Sequence, residues 1–231
     1  QNLHINARSP LLQFKNGYLH LNTLNGALTA GSENNQWDGS FKLDKTNLYP
    51  TVLTATNFEL KGSYKNDRLQ TNFTFSSPLV WQKGKGIEAS KLHLSTLQDT
   101  INRLPRPRFI STLEGQANFS LNTWEGRLKG AFDRQALALA FKYQRDAQPR
   151  PHLDAGIALQ KLNLTPYLED LKTQPSLNLP SLLAKSWLPD IEANLQIGSI
   201  QTAGLQLENV ESLLTADKEH IALHRFKAGL Y

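Results

Sequence analysis

The chain has 231 residues, with 25 Lys and Arg against 20 Asp and Glu, six His, no Cys and no Met. That length supports a substantial core, as one large domain or two small ones. The absence of Cys excludes a disulfide scaffold, a thiolate metal site and a cysteine nucleophile. Apolar residues make up 39% and aromatic residues 9% of the chain, too many for a disordered segment, yet no apolar run approaches the ~20 residues that span a bilayer as a helix. With no Met and no leader pattern at Gln1, we expect a processed protein or a piece of a longer one.

In chain order, the dominant signal is alternation with a period of two. Val52, Thr54, Thr56, Phe58 and Leu60 occupy alternate positions, and Leu69, Thr71, Phe73 and Phe75 repeat the pattern after a turn at Asn66-Asp67. Ala117-x-Phe119-x-Leu121, Trp124-x-Gly126-x-Leu128-x-Gly130-x-Phe132 and Leu137-x-Leu139-x-Phe141-x-Tyr143 follow, then Leu153 to Leu159 and Ile191 to Ile197. A strand sends successive side chains to opposite faces, so each segment has one oily face and one wet face. Short polar connections such as Asn122-Thr123 and Asp133-Arg134-Gln135 mark successive antiparallel hairpins. Three stretches break the rhythm and are expected to be short helices. Residues 95–103 are one. Residues 163–172, with Thr165 as N-cap and Pro166 at the first helical position, are the second, and residues 179–189, stopped by Pro189, are the third. The expected fold is mainly β: a curved antiparallel sheet of amphipathic strands, forming an open groove or partial barrel, with two or three short helices. Periodicity alone leaves a closed barrel or a sandwich open. An open sheet must either cover its oily face or use it.

Charge is unevenly spread. Successive thirds of 77 residues carry 7 basic and 5 acidic, 12 and 7, and 6 and 8 side chains, so the excess lies in the middle. Its densest piece is Arg103-Leu-Pro-Arg106-Pro-Arg108, which suits an anionic head group if it is more than a solvated, Pro-stiffened loop. No RNP-like aromatic motif, zinc-finger spacing or helix-turn-helix pattern accompanies it, so nucleic acid is not expected as a partner. Catalytic constellations are equally scarce. His220 and His224 stand four apart, but they flank Ile221-Ala-Leu223, a strand-like context that separates them. There is no nucleophile elbow and no dinucleotide or Walker glycine loop. Lys83-Gly84-Lys85-Gly86 is better explained as a hairpin turn. No enzyme activity, cofactor or metal is expected.

The last forty residues carry a fuller pattern: Ile191 to Gly204, then Gly204-Leu-Gln-Leu-Glu-Asn209-Val210, Leu213-Leu-Thr-Ala-Asp217, and Ile221 to Gly229-Leu-Tyr231. This resembles the C-terminal module of the AsmA-like family, in which a strand leads to a Gly-Leu-x-Leu-x-Asn-Val step and two further strands. Leu153 to Tyr167 is similar to that family's strand running into a short helix. The likeness is clear over 152–231, with a linker at about 173–189, and over 1–151 rests on alternation alone. The two regions are expected to share one continuous sheet.

The resemblance implies a periplasmic module of an inner-membrane-anchored bacterial envelope protein, its N-terminal anchor outside this sequence. It also implies a role in outer-membrane biogenesis, with phospholipid or another lipid bound or guided along an apolar β-groove and with envelope proteins as possible partners. Expected lining residues are Phe73, Phe75, Trp124, Leu128, Phe132, Leu139, Phe141, Leu195 and Ile197, with ordinary core packing as the competing role for each. Arg103, Arg106 and Arg108 are the expected head-group contacts. Two other readings stand beside this one. One is a scaffold of the same architecture with a filled interior. The other is a carbohydrate-binding β protein using Trp81 or Trp124 as a stacking platform, for which no paired carboxylates are evident.

Overall fold

A computed structural model describes residues 2–32, 35–66, 69–100, 108–145, 150–165, 189–202, 204–218 and 220–230. Fourteen strands account for most of them, so the protein is mainly β. The chain divides into two compact units, one of residues 1–121 with 130–134 and one of residues 122–129 with 135–231.

The first unit holds β1 (Asn2–Arg8), β2 (Leu12–Lys15), β3 (Tyr18–Ser32), β4 (Asn35–Leu48), β5 (Val52–Asn66), β6 (Leu69–Gln82), β7 (Gly86–Thr100) and β8 (Arg108–Phe119). Its lateral order is β1-β3-β4-β5-β6-β7-β8, with β2 paired to β3, and the pairing is antiparallel throughout. Asn16-Gly17, both at positive φ (49° and 80°), make the tight turn between β2 and β3. Only residues that tolerate the left-handed region match the twist of the flanking strands in such a turn. Asp133 and Arg134 repeat the device further on, at φ 45° and 66°. There the Asp133 amide donates to the Ile110 carbonyl (2.8 Å), and its Oδ1 accepts from the Ile110 amide (2.9 Å).

The expected helix at 95–103 is corrected. Residues 95–100 continue β7, paired with β6 on one side and β8 on the other. Leu94 and Leu97 lie on opposite faces of the strand, and residues 101–103 lie outside the described residues. Leu94 lies between Phe75 and Leu113, and Leu97 lies between Asn72 and Ile110. Cross-strand pairing over six residues outweighs a weak local periodicity.

Most of the buried residues of this unit follow a line of irregularities across the sheet. Register shifts occur between Ala55 and Phe58, between Ser76 and Leu79, and between Ala89 and Leu92. Ala55, Ser77, Ala89, Leu92 and Ala117, all buried, sit in or beside them. A bulge bends and twists its strand, and small residues let the chain close on itself there. Pro78 falls within the second shift, where a ladder N–H is dispensable.

The second unit holds residues 123–129 of β9 (Thr123–Phe132), together with β10 (Gln135–Gln144), β11 (His152–Asn163), β12 (Asp190–Gln201), β13 (Gln206–Ala216) and β14 (Ile221–Leu230), in that lateral order. One ladder departs from the expected all-antiparallel sheet: β11 and β12 run parallel, with Leu153 beside Ile191, Ile157 beside Leu195 and Leu159 beside Ile197. A parallel pair needs a long crossover, and residues 164–189 supply it. The two expected helices in that stretch lie outside the described residues. At its start Asn163 Oδ1 accepts a hydrogen bond from the Thr165 amide (3.0 Å). The Gly204 step lies in the turn between β12 and β13, where the Thr202 amide donates to the Leu205 carbonyl. Asn209 adopts φ 51° within a bulge between β13 and β14, a conformation that Asn tolerates better than most residues.

Candidate functional site

In the second unit, strand registers assemble apolar residues into rows that cross the sheet. Tyr143, Leu153, Ile191, Ala216 and Ile221 form one row. Phe141, Ala155, Ala193, Leu214 and Leu223 form the next, and Leu139, Ile157, Leu195, Ser212 and Phe226 a third. The reverse face of the same strands is polar: Lys142, Asp154, Glu192 and Thr215 make one of its rows. Along β9, Trp124 stacks on Tyr143 with ring centroids 4.9 Å apart and extends the first apolar row.

This face is not a closed core. Leu139, Phe141, Tyr143, Ile157, Leu195 and Ile197 are half-buried, and Ile221, Leu223 and Phe226 are exposed. Leu159 and Val210, and the small residues Ala193, Ser212 and Ala216 set among the larger side chains, are buried. Among the described residues the closest contacts between strands of each unit run between lateral neighbours. Apolar surface left in water costs about 25 cal/mol per Å², and a contiguous exposed patch of this kind marks a surface that meets something apolar.

The first unit presents a comparable face of its own. Gly26, Phe41, Leu60, Phe75, Leu94 and Leu113 form one row, and Leu28, Gly39, Gly62, Phe73, Thr96 and Ser111 form the next. Trp37 packs against Tyr64 (4.6 Å) and edge-on against Phe73 (6.4 Å), while Phe58 meets Phe75 at 5.8 Å. The reverse face carries Lys42, Glu59, Ser76, His93 and Glu114 in one row. Ion pairs there join Lys42 to Asp44 (3.0 Å), Lys61 to Glu59 (2.8 Å) and His93 to Glu114 (3.2 Å).

Two glycines shape the apolar floor. A side chain at Gly62 would run into the ring of Phe73, and one at Gly26 into the ring of Phe41. Each ring therefore lies down over its glycine instead of standing away from the sheet, which keeps the surface low. Gly62→Val should force the Phe73 ring upward and lower the unfolding midpoint. Ser63→Val, one residue along on the polar face, should leave the ring environment unchanged. Near-UV circular dichroism and thermal melts of the two variants check this.

Of the expected lining residues, Phe73 and Phe75 lie side by side on the first unit's apolar face. Leu139, Phe141, Leu195 and Ile197 come together on the second unit's face, in adjacent rows. Trp124 joins them through Tyr143 and is 46% exposed; Leu128, on the same side of β9, is buried. Phe132, half-buried, falls in the part of β9 that belongs to the first unit. Arg103 and Arg106 lie outside the described residues, and the backbone of Arg108 opens β8 opposite Asp99. Sequence reading missed Trp37, Phe41 and Tyr64. The signal was present in Trp37-x-Gly39-x-Phe41-x-Leu43, but the glycine diluted the alternation.

Several histidines have local partners. His20 Nδ1 meets Asn47 Oδ1 (2.7 Å), His152 Nε2 meets Asp154 Oδ1 (2.9 Å) and His224 Nε2 meets Thr215 Oγ1 (2.6 Å). No group of three His, Cys, Asp or Glu suited to a metal ion occurs among the described residues. Nor is any helix among them long and apolar enough to cross a membrane.

No curated protein and no solved structure matches the chain. A scan against known protein families matches the AsmA family over residues 1–231, which takes in the N-terminal region where alternation was the sole resemblance. The chain belongs to the AsmA family.

Proposed function

We propose that this chain is a non-enzymatic periplasmic module of an inner-membrane-anchored protein that binds or guides phospholipid acyl chains along its apolar sheet face. Membership of the AsmA family suggests an envelope-related protein, which is where such a cargo is found. The observation that carries the reading is the second unit's face. In three registered rows the larger aliphatic and aromatic side chains stay partly open to solvent, on strands whose reverse side is charged and polar. An acyl chain laid on that face gains about 0.8 kcal/mol for each CH2 it buries, and it asks nothing of the protein but a continuous apolar strip.

The test is the lipid content of the purified chain. Native mass spectra and organic extracts should contain phospholipid in near-stoichiometric amount, and a photoactivatable acyl-chain probe should crosslink to β10, β11 or β12. A chain that carries no lipid and takes up no probe, yet captures envelope proteins, would instead be a scaffold.

A further inference from the structure

Four segments that are distant in sequence meet at one end of the first unit's sheet. Tyr18, just after the β2–β3 turn, stacks on Tyr49 in the β4–β5 turn, with centroids 4.8 Å apart. The Lys83 amide of the β6–β7 turn donates to the Thr51 carbonyl (2.8 Å). Gly86, at φ 104°, lies so close to the Phe119 carbonyl and Ser120 that no side chain fits there. The three turns and the end of β8 therefore form one continuous ridge.

The composition of that ridge is distinctive. Residues 14–18, 48–52, 82–87 and 118–121 include four aromatic residues and three lysines, Lys15, Lys83 and Lys85, and not one carboxylate. The apolar side chains at its tips face water: Phe14 is 77% exposed and Leu121 84%, with Tyr49 also exposed. Lys83 and Lys85 are exposed beside them. Apolar groups left largely in water, set among cations and amphipathic tyrosines, match the chemistry of a bilayer's head-group region. There the lysines meet lipid phosphates while the rings and leucines enter the acyl boundary.

We propose that this ridge is a docking surface for the head-group layer of an anionic phospholipid bilayer. It is separate from the acyl-binding face, so the two readings stand or fall independently. A protein partner with an acidic patch is the competing occupant, and it would not need Phe14 and Leu121 to enter a bilayer.

The experiment is co-sedimentation of the purified chain with vesicles of phosphatidylcholine alone and of phosphatidylcholine mixed with phosphatidylglycerol. The chain should bind the phosphatidylglycerol vesicles and lose about tenfold in affinity at raised salt or with phosphatidylcholine alone. Phe14→Ser with Leu121→Ser should lose about tenfold on both vesicle types. Lys83→Gln with Lys85→Gln, which leaves Lys15, should sharply reduce the anionic preference and the salt dependence while leaving the weak binding to phosphatidylcholine. All four side chains are exposed, so the variants should melt as the parent does. As a measurement that keeps the native ridge, Thr51→Cys places the chain's one thiol there. An environment-sensitive dye on it should shift to the blue with phosphatidylglycerol vesicles. No binding to these vesicles at low salt, variants that bind like the parent, or an unshifted dye would overturn the proposal. Vesicle binding without co-purified lipid would uphold the ridge and reject the acyl face; co-purified lipid without vesicle binding would do the reverse.

Discussion

Glutamate at both Leu139 and Leu195 should strip bound phospholipid from the chain by more than about tenfold, with the loss read as lipid-to-protein ratio in extracts and native mass spectra. The two leucines flank Ile157 in one row of the second unit's apolar face. A carboxylate there stays hydrated or faces a desolvation cost of several kcal/mol. An acyl chain gains only about 0.8 kcal/mol per CH2, so displacing two or three methylenes already exceeds the 1.4 kcal/mol that corresponds to tenfold in affinity. The fold should survive, because both positions retain solvent access. The control uses the same strands and the same charge. Ala140→Glu with Asn194→Glu places carboxylates one residue further along β10 and one residue back along β12, on the exposed reverse face. That variant should keep its lipid. Equal loss from the two faces would mean that added negative charge, and not the apolar strip, governs retention.

That control rests on the part of the fold that was legible beforehand. Leu137 to Tyr143, Leu153 to Leu159 and Ile191 to Ile197 alternate without interruption, and a strict period of two fixes which residues share a face before their partners are known. What alternation cannot supply is direction. Nothing in Leu153–Leu159 or Ile191–Ile197 distinguishes parallel from antiparallel neighbours, because either arrangement buries the same side. The length of the intervening 164–189 segment was the available clue. Bulges were hidden for a related reason. A single extra residue of β7, between Ala89 and His93, faces the Ser76–Leu79 step of β6 and reverses the alternation of β7 locally, and only Pro78 on the facing strand hinted at it. In the N-terminal 48 residues the apolar face is built partly from glycine under neighbouring rings, as at Gly26 beneath Phe41. A pattern counted in apolar residues passes over it, and with it Trp37 and Phe41. The ridge of hairpin tips was illegible for a different reason: its residues are brought together only by the register of seven strands.

The parallel pair also sets the largest expected effect on stability. Hairpin strands are held at one end by their turn, whereas β11 and β12 enter the sheet from the same end with no turn between them. At that end the Arg150 guanidinium lies 3.1 Å from Asp190 Oδ1, with side-chain exposures of 16% and 28%, and the Asp190 amide donates to the Pro151 carbonyl. The ion pair thus fastens the chain two residues before β11 to the first residue of β12. Asp190→Leu alone takes the Asp190 carboxylate from a largely buried guanidinium, and Arg150→Met alone takes the Arg150 guanidinium from that carboxylate. Breaking a fully buried pair costs about 3–5 kcal/mol, and partial solvent access lowers the expectation here to about 2 kcal/mol. For a chain of this size that is a fall of about 4–8 °C in the melting of the second unit. Hydrogen exchange of the amides at 152–159 and 190–197 should rise with it. Arg150→Met combined with Asp190→Leu removes both charges and restores apolar contact, so the double variant should recover most of the loss, as buried pairs replaced by hydrophobic groups do. If the double variant melts as low as the singles, the pair is not what holds the open end of the two strands. If the singles melt as the parent does, the parallel ladder is secured by its apolar rows alone.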